Sequence, residues 1–354
     1  MVPFAKARLA LDEGQLGVVL LCLGLGSALT MPFAGWVNHR HGSRVLVPIA
    51  GALVCAAVPL LALAPSKILL GAALAFFGAA LGVLDVSMNA QAVDVERLAG
   101  RPLMSGFHAL YSVGGLAAPA AMTVLLGAGL SLGACAAVIA ALLIAIVATQ
   151  ARHLLAPAGD RPATRSMFTW PSRIAVLLGL GCLVLFLAEG AMLDWSAVLL
   201  RSERGVSLAS AGLGYAAFSV AMSIGRLLGD RVTAALGPTR IVRYGSLIAA
   251  AGFVLASALP WAATSMAGFV LVGIGASNVV PVLFSAAGRI PGTAPGVAIA
   301  TITTFGYTGV LSGPAAIGAV AHAIGLPLAL GSVAVLLALV SAAGSIVGRD
   351  RGAP

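Results

Sequence analysis

"GWVNHRHGSR", residues 35–44, is a short basic stretch with an apolar run on either side. A related stretch, "GDRVTAALGPTR", occupies residues 229–240. Both read as turns between long apolar segments, and their recurrence says the chain is built twice. The composition fits that setting. The chain is 60% hydrophobic and 9% charged, against about 25% charged in a soluble domain. That places it among membrane proteins before any motif is considered. The net charge of +9 does not point to nucleic acid, because the basic residues cluster in short turns between apolar runs, as the positive-inside rule requires.

A spanning helix needs about 20 apolar residues, and the uncharged runs give eleven of them. One lies between Glu13 and Arg40, one between Arg44 and Lys67, and one between Lys67 and Asp94. Arg101 to Arg152 encloses 50 residues without Asp, Glu, Lys or Arg, enough for two helices broken at 127–133. Arg173–Arg201 and Arg204–Asp230 each hold one. Arg243–Arg289 holds two, broken at Pro260-Trp261, and Arg289–Arg349 two more, broken at 325–327. With the turn at 38–44 in the cytoplasm, 15 of the 20 Lys and Arg fall on that side; Lys6, Arg8, Lys67, Arg201 and Arg204 fall outside. This orients the C-terminus to the cytoplasm. The expected class is therefore an all-α polytopic membrane protein of the cytoplasmic (inner) membrane. The loop at 151–171, rich in Pro, Arg and Ala, reads as a cytoplasmic linker between a bundle over 1–150 and a second over 172–354.

Gly42 and Gly237 occupy equivalent places, 237 − 42 = 195 residues apart. Two helices precede the second turn but only one precedes the first, so the first bundle has five helices and the second six. The register predicts a further helix ahead of Met1. An in-frame apolar stretch of about 20 residues upstream of Met1 is the expected finding in the genomic sequence.

Two pseudo-symmetric bundles joined by a cytoplasmic linker resemble the major facilitator superfamily, with the five helices equivalent to its helices 2–6 and the six to 7–12. The stretch 35–44 resembles its loop G-x-x-x-D-R-x-G-R-R through Gly35, Arg40, Gly42 and Arg44, with Asn38 near the usual Asp. The second copy carries Gly225, Arg226, Gly229, Asp230, Arg231 and Gly237. "DVSMNAQAVDVERLAGRPLMSGFHALYSVGG" (85–115) and "EGAMLDWSAVLLR" (189–201) resemble a largely uncharacterised inner-membrane permease branch near the fucose-permease-like transporters. The resemblance implies alternating access about a central cavity lined by helices 1, 4, 7 and 10. It also implies a monomer, and a gate formed by Gly35, Arg40, Gly42, Arg44, Arg226, Asp230 and Arg231.

Charged residues in spanning helices are costly and usually face the bundle interior. Asp85 and Asn89 are four apart, about 40° around a helix, and share a face. His108 and Tyr111 are three apart, and His108 suits a proton relay. Glu189 and Asp194 are five apart, about 140° around the helix, so Glu189 is the cavity candidate and Asp194 an anchor at the outer end. Tyr215, Ser219, Met222 and Arg226 form one stripe. Asn278 is the lone strong polar group of its span, able to donate and accept. The substrate- and proton-binding candidates are thus Asp85, Asn89, His108, Glu189, Asp194 and Asn278. The pairs Gly78/Gly82 and Gly225/Gly229 read as close helix packing.

No P-loop is present, which argues against an ATP-driven pump. His39 and His41 lie two apart, and His108, His153 and His322 are scattered, so neither a metal nor a cofactor site is expected and an enzyme is disfavoured. The four cysteines lie in apolar runs without CxxC spacing and read as small buried hydrophobes. Residues 1–13 lack the apolar core of a signal peptide. The reading that results is a secondary transporter of a small hydrophilic solute, driven by protons. Drug or metabolite efflux, or an inactive truncated permease, are the alternatives.

Overall fold

The computed structural model describes residues 2–156 and 170–351. The linker expected at 151–171 falls largely on residues 157–169, outside the described residues. Among the described residues every regular element is helical. They are α1 (Val2–Arg8), α2 (Glu13–His41), α3 (Ser43–Leu63), α4 (Lys67–Ala99), α5 (Met104–Gly127), α6 (Leu132–Ala151) and α7 (Arg173–Val198), which runs into a π-turn at Leu199–Glu203. Then come α8 (Leu208–Ala211), α9 (Leu213–Leu236), α10 (Pro238–Ala258), α11 (Ala262–Ala276), α12 (Val279–Ala287), α13 (Pro295–Ile324) and α14 (Leu326–Ala342). A helix suits hydrocarbon because it satisfies every backbone group within the segment. Nine helical stretches among the described residues are long and apolar enough to cross a membrane. With α9 and α13, of 24 and 30 residues, they account for the eleven long segments expected.

Two expectations need correction. The stretch at 35–44 is not a turn. α2 stays helical to His41 and α3 starts at Ser43. Gly42 alone breaks the helix, at φ 81° and ψ 151°. Gly237 does the same between α9 and α10, at φ 80° and ψ 156°. Their amides donate to Asn38 O and Thr233 O, at 2.8 and 2.9 Å, and 233 − 195 = 38, so the repeat is reproduced bond for bond. A positive φ is open to glycine at little cost, which is why a single residue suffices. Gly35, Arg40, Asp230 and Arg231, expected at the turns, therefore stand on helices, as Arg226 was expected to. The second correction concerns the span 262–287, expected to be one helix carrying Asn278. It is interrupted at Ser277–Asn278, between α11 and α12. Pro281 explains the break: it has no N–H to donate to the carbonyl four residues back, at Ser277, and its ring crowds that carbonyl.

The chain forms two compact units, each assembled from three separate stretches of the sequence. The first comprises Met1–Val95, Gly114–Trp170 and Ala294–Thr304. In it α2 and α4 approach backbone to backbone. Ser27 Oγ donates to Gly78 O at 2.8 Å and Thr30 Oγ1 to Ala79 O at 3.1 Å. A β-carbon at Gly82 would lie 2.9 Å from Thr30 Oγ1, so the close-packing reading of Gly78 and Gly82 holds. The Arg8 guanidinium closes the C-terminal end of α3 by donating to Ala62 O and to Ala64 O, where a cation suits the carbonyl end of the helix.

The second unit comprises Glu96–Val113, Pro171–Thr293 and Phe305–Pro354. Its tightest seam joins α10 and α11 through two glycine pairs. A β-carbon at Gly252 would lie 2.6 Å from Gly268 O, and one at Gly245 would lie 2.6 Å from Gly275 O. Both helices carry their glycines seven residues apart, so the pairs stack along an antiparallel seam. Without a hydrophobic drive between helices in lipid, such close approach supplies the packing energy. Gly252→Ala is expected to lower stability by about 1–3 kcal/mol, because backbone must move to admit the methyl. Gly212→Ala, where the added carbon meets nothing within 4 Å, should stay within about 0.5 kcal/mol. Thermal unfolding of the two purified variants beside wild type checks this.

Candidate functional site

The break in the α11–α12 span positions the site. Pro281 leaves the Ser277 carbonyl without its helical donor, and Arg226 on α9 takes the vacancy: its Nε donates to Ser277 O at 3.4 Å. The other two nitrogens of the same guanidinium reach different helices. Nη1 donates to Ser112 Oγ on α5 at 3.0 Å, and Nη2 pairs with Glu189 Oε1 on α7 at 2.9 Å. The Arg226 side chain is 7% exposed and that of Glu189 25%. A planar fork of five donors suits this three-way tie better than an ammonium. Glu189 Oε2 takes no hydrogen bond among the described residues.

Asn278 completes the group. Its Nδ2 donates to Gly225 O and to Ser277 Oγ, each at 3.0 Å. Its Oδ1 is buried and has no partner among the described residues. A β-carbon at Gly225 would lie 2.5 Å from Ser277 Oγ, and Asn278 packs directly on Gly229. The glycines Gly225 and Gly229 thus admit the polar break against α9. His108 stands on α5 one turn before Ser112, with Nδ1 at 3.1 Å from Met104 O and its ring edge-on to Phe284 at 5.5 Å.

A second group of charges closes the N-terminus of α5. The first turn of a helix leaves four N–H groups without partners, and here two carboxylates take all four. Glu96 Oε2 accepts from Leu103 N at 2.9 Å and Met104 N at 3.0 Å. Asp230 Oδ1 and Oδ2 accept from Ser105 N and Gly106 N, both at 2.9 Å. The free oxygen of Glu96, whose side chain is 2% exposed, pairs with Arg289 at 2.7 Å. Negative charge at a helix N-terminus also meets the positive end of its dipole.

The structure sorts the residues picked from sequence. Glu189, Arg226 and Asn278 form the group just described, with His108 on the same helix as Ser112. Asp194 is exposed, as its angular separation from Glu189 implied. Asp85 and Asn89 do share a face: Asn89 Nδ2 donates to Asp85 Oδ1 at 2.8 Å, in the first unit. Tyr111 does not share the setting of His108, being 70% exposed. Among the gate residues Asp230 caps α5, Arg40 lies 5.6 Å from the centre of the Trp36 ring, and Arg44 and Arg231 are exposed. The glycine register also corrects one equivalence. Since 230 − 195 = 35, Asp230 corresponds to Gly35, one turn before Asn38. A β-carbon at Gly35 would lie 2.7 Å from Gly296 O, so the first copy uses close backbone contact where the second uses an acid. Ser112, Ser277, Glu96 and Arg289 were not singled out. The usable signal for Ser277 was Pro281 four residues later.

Comparison with known proteins gives the family of the bundle that holds this arrangement. The family model for the Major Facilitator Superfamily matches residues 1–287. The chain belongs to the major facilitator superfamily. It is 46% identical over 322 residues to an uncharacterized MFS-type transporter of Yersinia pestis, covering 91% of this chain and 83% of that protein. It is 31% identical over 325 residues to the membrane protein MosC of Rhizobium meliloti, covering 92% and 79%. In fold it is similar to the E. coli fucose:proton symporter FucP, with a TM-score of 0.79 at 17% identity over 99% of this chain and 93% of that one. The proton:xylose symporter XylE gives 0.76 at 13% identity, over 96% and 89%. The chain is a multi-pass membrane transporter of the secondary class and not an enzyme.

Removing one member of a buried pair leaves the other uncompensated, at about 3–5 kcal/mol. Partial exposure of Glu189 puts Glu189→Ala at the lower end, about 3 kcal/mol. Glu189→Ala combined with Arg226→Met should recover stability relative to Glu189→Ala alone, as read by unfolding of the purified proteins. A double variant whose loss equals the sum of the losses of Glu189→Ala and Arg226→Met would show that the pair is not coupled.

Proposed function

We propose that this transporter moves a small hydroxylated solute across the cytoplasmic membrane by alternating access, coupled to protons through Glu189. The observation that carries this reading is the Glu189–Arg226 pair, set within spanning helices, with one carboxylate oxygen unbonded and the acid partly exposed. A proton arriving at Oε2 neutralises the carboxylate and weakens its hold on Arg226. The guanidinium then keeps only its bonds to two neutral acceptors, Ser112 and Ser277, so its charge is left uncompensated and favours a rearrangement. The loosened contact couples proton occupancy to the positions of α7 and α9. Asn278 Oδ1, a buried acceptor with no partner among the described residues, is packed against Gly229, and it becomes available to a solute hydroxyl when α9 and the α11–α12 break part. The Asp85–Asn89 pair offers a second polar face in the first unit.

Two supports come from outside the chain. FucP is a fucose:proton symporter and XylE a proton:xylose symporter, and both share this fold. A neutral, polyhydroxylated solute of monosaccharide size, moving with a proton, is the substrate class we assign. The same reading treats 1–150 and 172–354 as the two bundles and places the C-terminus in the cytoplasm.

Proteoliposomes with a trapped pH dye test it. External L-fucose, D-xylose or myo-inositol should acidify the lumen for at least one member of the panel. Glu189→Gln should abolish solute-driven acidification, to the level of protein-free liposomes, while counterflow exchange of the same labelled solute persists. Acidification by Glu189→Gln equal to wild type would remove Glu189 from the coupling. Silence across the panel would count against the substrate class.

A further inference from the structure

α9, α10 and α11 line a groove that backs onto the candidate site through Gly225, Ser277 and Asn278. Its volume is about 840 Å³, within the range of small-molecule sites. One wall is a stripe on α9 at intervals of four: Val220, Ile224, Leu228, Val232 and Leu236, all exposed. From Val220 to Leu236 the stripe runs about 24 Å, against a hydrocarbon core about 30 Å thick. α10 and α11 supply further aliphatic side chains to the opposite wall. The groove ends at Arg240 and Tyr244, at the α10 end next to the Gly237 break, and its deep polar edge is Ser277 and Asn278.

Arg240 is exposed and has no hydrogen bond or ion pair among the described residues. Arg231 and Arg243, both exposed and likewise without an ion pair among them, stand on the helix ends that meet at Gly237. An aliphatic channel ending beside a tyrosine in a cation that has no ion pair among the described residues matches the chemistry of one kind of molecule. We propose that this groove binds an anionic phospholipid of the surrounding bilayer, one acyl chain along the α9 stripe and its phosphate on Arg240. The chain excludes water from the Ser277–Asn278 break on its lipid side, so the carbonyl that holds Arg226 keeps its low-dielectric surroundings. Lipid occupancy does not depend on which solute is carried.

Native mass spectrometry of the full chain tests it, with phosphatidylglycerol and phosphatidylcholine offered in equal amounts after delipidation. Wild type should retain phosphatidylglycerol in preference. Arg240→Gln should weaken that retention about fivefold, and Arg240→Lys should preserve most of it. Val232→Trp, which fills the groove without touching the arginine, should displace the lipid as well. Thermal unfolding confirms that each variant is folded. Equal retention of the two lipids by wild type, or unchanged phosphatidylglycerol retention in Arg240→Gln, would overturn the proposal. A wild-type dimer that Val232→Trp dissociates would assign the groove to a second copy of the chain and overturn it equally.

Discussion

A carbonyl oxygen without a donor is the feature on which the rest of this site depends. Hydrocarbon offers no water to an orphan backbone group, so a proline in a spanning helix demands a partner from elsewhere. Pro281 creates that demand at Ser277 O, and Arg226 meets it. An arginine at that depth is itself a liability, answered by Glu189 and Ser112. Each element is unfavourable alone, and together they tie α5, α7, α9 and the α11–α12 break to one guanidinium. The tie includes one member, the Glu189 carboxylate, that a proton can neutralise.

The same constraint shapes the N-terminus of α5. Its four unpaired amides are taken by two carboxylates from different elements, Glu96 and Asp230, and the spare oxygen of Glu96 is taken by Arg289. With 9% of the chain charged, charges are few, and those at the site serve two duties at once. Glycine does the complementary work. At Gly252/Gly268 and Gly245/Gly275 it lets backbones meet, and at Gly42 and Gly237 it joins two spanning helices with a single residue.

Much of the fold could be read in the chain because the bilayer imposes simple rules on sequence. Length and apolarity set the spans, and the spacing of Arg44, Lys67, Arg101 and Arg152 marked where they end. The equivalence of Gly42 and Gly237 was visible as a fixed offset, since a positive φ selects the same residue twice. Periodicity alone placed Asp85 with Asn89, and set Glu189 apart from Asp194, because 3.6 residues per turn fixes direction on a helix.

The pairing of charges was not readable, because helical periodicity says which face a residue takes and nothing of which helix lies opposite. Arg226 reads from sequence only as one member of a helix stripe and Asn278 as part of an unbroken helix, while nothing in the pattern marks Ser112, Ser277, Glu96 or Arg289. Each owes its role to a partner between 37 and 193 residues away in sequence. The sequence by itself determined that this is a membrane bundle with an internal repeat and a few buried polar groups. Only the tertiary structure decided that Arg226 belongs to Glu189, Ser112 and a carbonyl freed by Pro281. Hydrogen bonds form between neighbours in space, and in a bundle of similar apolar helices the choice of neighbours is made by packing.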